Sequence, residues 1–174
     1  FEGHSTDYQT KYKLRELVED GVGILKVGPG LTYAAREGIF SLCMIEEELA
    51  AVYGFETSHF REELDKAMLA NPGKWAPYYH GTENEIAFKR KYSFSDRCRY
   101  YLPQENVKNA LAKLLTNLKE HPVPLPLLSQ YMPFQYTLVR EGKLNNTPED
   151  LIKARVMYTI EEYTYASHQE ELIC

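Results

Sequence analysis

The chain lacks any apolar run near the roughly 20 residues that a membrane helix needs, so the sequence offers no helical membrane span. Its opening residues are acidic and polar, without the basic and then apolar order of a secretory leader. Cysteine is scarce. Cys43, Cys98 and Cys174 are odd in number and far apart, matching neither a zinc spacing nor a disulfide framework, which fits a reducing cytoplasm. Each reads as a small apolar filler or a tail residue rather than a nucleophile. Positive charge is not in excess. A net charge of -5 argues against a broad nucleic-acid footprint, because phosphate binding requires a basic face. His59, His80, His121 and His168 are scattered with no HExxH-like pairing, so the downstream part carries no self-contained metal site. No Walker loop, dinucleotide fingerprint or other glycine loop suited to ATP is present, which leaves a sugar kinase poorly supported.

What remains is ordinary globular material. The 174 residues are 44% hydrophobic and 26% charged, enough for one domain with a real core. The first residue is Phe1, inside a strand-like run with no turn before it. This suggests that sequence is missing upstream and that the chain is a C-terminal piece of a longer protein. Tyr12 to Asp20 reads as a helix stopped by Gly21. Val22 to Val27 is a nearly continuous apolar run, suited to a strand buried on both faces of a parallel sheet. Gly28-Pro29-Gly30 breaks it. Leu31, Ala35, Gly38, Leu42, Ile45 and Leu49 then fall on one helical stripe, with Arg36, Glu37, Glu46, Glu47 and Glu48 off it. The first third is therefore predicted as strand, helix, strand, helix, a right-handed crossover unit.

The opening stretch, Phe1-Glu2-Gly3-His4-Ser5-Thr6-Asp7-Tyr8-Gln9, concentrates acid, imidazole and hydroxyl groups without amphipathic order. Such groups between a strand and a helix start sit where α/β folds place their sites. The same residues, or Thr10, would also serve as a helix N-cap. The density of side chains able to do acid-base work favours a site. Lys26, at the end of an apolar strand, reaches an anionic ligand in one reading. The amides of Gly28 and Gly30 would then help to hold a phosphate at the following helix start. In the other reading the lysine snorkels to the rim.

From about Gly54 strand-like runs disappear. Phe60, Leu64, Ala67 and Met68 mark a helix ended by Asn71-Pro72-Gly73. Trp75, Tyr78, Tyr79 and His80 form an aromatic patch, read as core cover with sugar stacking as the alternative. Ser93 or Ser95 starts a further helix, with Asp96 placed to suit its dipole. Arg97 and Arg99 lie amid tyrosines, either gripping phosphate or carboxylate, or bridging acids across a domain seam. Val107, Leu111, Leu114, Leu115 and Leu118 make an amphipathic helix, and His121 to Pro126 a stiff extended connector. Gln130, in a polar-aromatic run, is a candidate substrate contact. Thr147 and Pro148 open the last helix, and the tail from His168 to Cys174 is expected to fray.

These residues carry a resemblance. Phe1 to Gln9, with Ile24-Leu25-Lys26-Val27-Gly28-Pro29, closely resembles the end of the barrel in the non-catalytic (GatZ/KbaZ-type) subunit of class II tagatose-bisphosphate aldolase. Tyr92-Ser93-Phe94-Ser95-Asp96-Arg97-Cys98-Arg99-Tyr100-Tyr101 and Ser129-Gln130-Tyr131-Met132-Pro133 look like that family's two C-terminal signatures. The resemblance implies an α/β fold: residues 1–53 as the last two strand-helix units of a TIM (β/α)8 barrel, and residues 54–174 as a mostly α-helical extension packing on it. It implies a cytoplasmic accessory subunit serving galactitol or N-acetylgalactosamine breakdown, partnered by a catalytic aldolase subunit and a small sugar-phosphate ligand, with a homo-oligomer also compatible. It is also similar in spacing to the catalytic class II aldolases. On that comparison Glu2 stands where a zinc-binding histidine would be, Gly3 and Ser5 match the phosphate loop, and Lys26-Val27 match the next strand. A carboxylate at Glu2 still suits zinc or a similar divalent metal. A second implication is a metal-dependent 4-epimerase acting on fructose or tagatose 6-phosphate. There Glu2 or His4 binds metal or shuttles a proton, Ser5 and Lys26 hold the phosphate, and Arg97 or Arg99 closes the site. Asp7, Gly28 and Gln130 complete the candidate ligand contacts.

Overall fold

A computed structural model of the chain describes residues 1–169. Cys174 and most of the tail expected to fray lie outside the described residues. The order is β1 (Glu2–Gly3), α1 (Lys11–Glu19), β2 (Ile24–Leu25), α2 (Gly30–Tyr53), α3 (Phe60–Ala70), α4 (Glu83–Tyr92), α5 (Glu105–Glu120), α6 (Leu125–Tyr131), α7 (Pro133–Arg140) and α8 (Pro148–Ala166). Short 3-10 turns occupy residues 72–74 and 97–100. β1 and β2 are parallel, with Glu2 opposite Ile24 and Gly3 opposite Leu25.

Local chemistry explains most boundaries. The Thr10 side chain accepts from the Lys13 amide and caps α1. Gly54 ends α2 in the left-handed region at φ 73°, which glycine adopts without a Cβ clash. Thr82 and Glu85 form a reciprocal capping box on α4. Thr147 caps α8, with Pro148 in its first turn.

The helix α2 is the centre of the fold, packed by α3, α5, α6 and α8. Leu42, Ile45, Leu114, Leu128 and Leu151 are fully buried. Each contributes about 1.5–3 kcal/mol relative to exposure. Gly38 lets α2 and α8 approach closely, since a Cβ there would stand 3.3 Å from the Ile152 Cα. One core runs across position 53–54, joining α2 to the helices that follow it.

Several expectations change. The strand expected over residues 22–27 shrinks to Ile24–Leu25, and Ile24 is 55% exposed rather than buried on both faces. Among the described residues the sheet has two strands of two residues each, too small a surface for other elements to cover on both faces. Arg36 and Glu46, expected off the apolar stripe of α2, are 2% and 1% exposed. With neighbours on so many sides, α2 has little free face for its polar residues. Ser93 caps the C-terminus of α4 instead of opening a helix, and only a 3-10 turn follows. The extended connector ends at Pro124, because Pro126 falls in the first turn of α6, where a missing N–H costs nothing. Trp75 and Tyr79 are buried, as core cover should be.

Candidate functional site

The parallel register brings the opening stretch and Lys26 together at the carboxyl ends of β1 and β2. The Lys26 amide donates to the Gly3 carbonyl at 2.9 Å, extending the strand pairing by one residue. Across this seam one oxygen of Glu2 faces two nitrogen partners: Lys26 Nζ at 2.5 Å and His4 Nε2 at 2.7 Å. All three side chains are partly solvent-exposed, so the cluster adds little stability and is free to change partners. An arriving phosphate oxygen would compete with Glu2 for Lys26. The imidazole–carboxylate contact is a pair able to hold and pass a proton.

Ser5 is separated from this pair. It is exposed in the left-handed region at φ 56°, and with His4, Gln9 and Lys13 it lines a hollow of about 340 Å³ on the α1 side. Neither Glu2 nor Lys26 lines that hollow. The mouth is therefore split: Glu2, His4 and Lys26 meet, and Ser5 shares only the imidazole neighbour.

Asp7 takes a role the sequence left between two readings. Its carboxylate accepts from the Gly28 amide at 2.9 Å and from the Gly30 amide at 2.7 Å. Pro29, the residue at the N-cap position of α2, provides no side-chain cap, so Asp7, 23 residues before Gly30, supplies it. The amides of Gly28 and Gly30 hold an internal carboxylate where the sequence suggested a phosphate. A Cβ on Gly30 would stand 2.8 Å from Asp7 Oδ1, so this close approach requires glycine. Asp7→Ala is expected to cost about 1–2 kcal/mol through the lost cap. Thermal melts with millimolar inorganic phosphate should recover part of that loss in the variant alone. An unchanged melting temperature would show that the cap carries no stability.

The remaining candidates sit elsewhere. Arg97 stacks on Tyr78, its guanidinium carbon 3.1 Å from the ring centroid, and donates to the Lys74 carbonyl at 3.2 Å. Arg99 donates to the carbonyls of Ser95 and Asp96 at 2.5 and 3.0 Å. Among the described residues neither bridges a carboxylate, the alternative raised for them; Arg99 braces the turn that presents Asp96, and Arg97 ties that turn to Lys74. Gln130 is exposed on α6. Sequence reasoning missed the residues that Asp96 does engage. Buried Arg36 donates from Nε to Asp96 Oδ1 at 2.9 Å, and Thr32 Oγ1 donates to Asp96 Oδ2 at 2.6 Å. The only hint was the position of Arg36 on the helix, which periodicity assigned to solvent. Burial raises the thiol pKa of both Cys43 and Cys98, leaving them protonated and unsuited to nucleophilic work.

The described residues do not make a metal centre by themselves. No group of three or more His, Cys, Asp or Glu side chains among them converges to hold an ion. Glu2 and His4 are two donors, and the ammonium of Lys26 stands 2.5 Å from the same Glu2 oxygen, where it would repel a cation. Among the described residues no helix is long and apolar enough to cross a membrane.

A crystal structure of a probable tagatose 6 phosphate kinase from Sinorhizobium meliloti 1021 superposes with a TM-score of 0.89 at 40% sequence identity. The match covers 95% of this chain and 42% of that one, so the chain spans less than half the length of that protein. The family described as D-tagatose-1,6-bisphosphate aldolase subunit GatZ/KbaZ-like matches residues 1–168. With a match over almost its entire length, the chain belongs to the GatZ/KbaZ-like family of D-tagatose-1,6-bisphosphate aldolase subunits.

Proposed function

We propose that this chain is the C-terminal part of an accessory, non-catalytic subunit that supports a catalytic tagatose-bisphosphate aldolase subunit in galactitol or N-acetylgalactosamine breakdown. In this reading β1-α1-β2-α2 forms the last two units of a TIM barrel, and residues 54–174 form a helical extension packed on it. Two parallel strands joined through a helix suit such units. The observation that carries the reading is the state of Glu2. Its carboxylate lies where a barrel would place a catalytic group, yet one of its oxygens is engaged by both Lys26 and His4. An acid whose one oxygen is shared by a lysine and an imidazole suits ligand holding better than turnover. Lys26 then recruits the phosphate of a sugar phosphate, with Ser5 at the edge. A divalent metal would need donors beyond Glu2 and His4, and no step is assigned to one.

The His4–Glu2 contact favours one second reading, a sugar-phosphate 4-epimerase in which the pair moves a proton. A kinase, the activity in the name of the Sinorhizobium protein, finds little support here, because the amides of the Gly28-Pro29-Gly30 loop after β2 are occupied by Asp7. The test uses the full-length protein. Alone with fructose 6-phosphate and a divalent metal it should produce no epimer. Mixed with the catalytic subunit it should raise tagatose-bisphosphate cleavage. Turnover by the protein alone would overturn the accessory reading, and so would a catalytic subunit indifferent to its presence.

A further inference from the structure

A second cavity lies away from the strand ends. It is a cleft of about 440 Å³ between α2, the α6–α7 corner and the side of α8. That volume falls in the range of small-molecule sites. Arg36, Ser41, Tyr92, Tyr131, Phe134 and Gln135 line it. The two C-terminal signature stretches meet here, one through Tyr92 and the other through Tyr131 and its neighbours.

The chemistry of the lining is specific. Arg36 is 2% exposed and held by Asp96 through Nε, with its guanidinium carbon 4.2 Å from the Tyr33 ring centroid and 5.0 Å from that of Phe40. Its Nη2 has no hydrogen-bond acceptor among the described residues. A buried donor left unserved is costly and calls for an explanation. Gln135 is 3% exposed, and its Nε2 reaches the Leu151 carbonyl at 3.5 Å, which leaves the carboxamide oxygen as the acceptor on offer. Tyr92, Tyr131 and Phe134 add aromatic surface. Charge is balanced: Asp96 neutralises Arg36, and Glu37 neutralises Arg155 at the rim with a 2.5 Å contact. A dianionic phosphate would meet the Glu37 carboxylate in the lining without surplus positive charge to offset it.

From this arrangement we infer that the cleft binds a neutral polyhydroxylated molecule, a free sugar or polyol. Arg36 donates to a ligand hydroxyl, Gln135 accepts from one, and the aromatic rings pack against the C–H face. The inference is independent of the sugar-phosphate mouth at the strand ends.

Calorimetric titration of the full-length protein with D-fructose, D-mannitol and fructose 6-phosphate tests it. Lys26→Met, which alters only the mouth, should leave fructose and mannitol binding unchanged. Gln135→Leu should weaken that binding about tenfold, the size of one lost hydrogen bond. Ser41→Trp should abolish it by filling the cleft while leaving both ion pairs in place. Melting curves of each variant establish that it is folded. Absence of binding by either neutral ligand would overturn the inference. So would binding that ignores Gln135→Leu and Ser41→Trp, binding lost in Lys26→Met, or a cleft that prefers the sugar phosphate.

Discussion

Asp96→Asn is expected to destabilise the protein by about 3–5 kcal/mol, because it strands a buried guanidinium without its counter-charge. For a chain of this length each kcal/mol moves Tm by about 2–4 °C, so the expected fall is on the order of 10 °C. The side chains of Arg36 and Asp96 are 2% and 0% exposed, so solvent cannot screen the loss. Asparagine isolates the charge. Asp96 sits in the left-handed region at φ 44°, which asparagine tolerates and a branched or bulky residue does not. The change also keeps an oxygen for the Thr32 hydroxyl, which donates to Asp96 at 2.6 Å. Arg36→Met should cost less when combined with Asp96→Asn than when made alone, since the double change removes the uncompensated charge. Equal losses in both backgrounds, measured as a double-mutant cycle by denaturant unfolding, would show that the two groups are not coupled. This pair ties the α2 side of the strand region to the turn after α4. Its loss should also loosen the cleft floor.

Glu46→Leu is the second large effect, expected at about 3 kcal/mol or more. Glu46 is 1% exposed and receives three donors: the Ser58 amide at 2.8 Å, the Ser58 hydroxyl at 2.6 Å and Asn117 Nδ2 at 2.6 Å. Leucine would leave all three facing an apolar group, and each buried donor without a partner costs about 1–3 kcal/mol. Glu46→Gln should be far milder. One carboxamide oxygen still serves the Ser58 and Asn117 amides, and the Ser58 hydroxyl can rotate to accept from the new NH₂ group. Chemical denaturation of the two variants separates the cases. Similar losses would mean that helix packing, rather than donor satisfaction, sets the stability of this corner. The bonds of Glu46 pin the segment between α2 and α3 and reach α5, so the lost stability should appear first as protease sensitivity around residues 54–59.

The difference between these two acids and those at the strand ends is instructive. Glu2 and Asp7 stood out in the sequence because they crowd a short polar stretch. Asp96 and Glu46 looked like helix-surface or helix-start residues, and the structure makes them the buried anchors. Periodicity locates one apolar stripe per helix, which suffices for α5, where Val107, Leu114 and Leu118 are buried as their spacing requires. On α2 it places Gly38, Leu42, Ile45 and Leu49 correctly but misplaces Arg36 and Glu46, because a helix packed by four others has no single inward face. The capping box of α4 was present as Thr82-Glu83-Asn84-Glu85, a readable signal that the apolar pattern did not draw attention to.

Local chemistry alone determined the helix starts at Thr10 and Thr147, the stop at Gly54, the parallel strand-helix order and, through its signature stretches, the family. These depend on residues close in sequence, whose caps and turns act within a few positions. Only the tertiary structure decided that Asp7 caps α2, that Glu2 faces Lys26, and that Arg36 and Asp96 lie buried together. Those pairings join residues 21 to 60 positions apart, and the buried ones gain their energy only once the chain has excluded water around them.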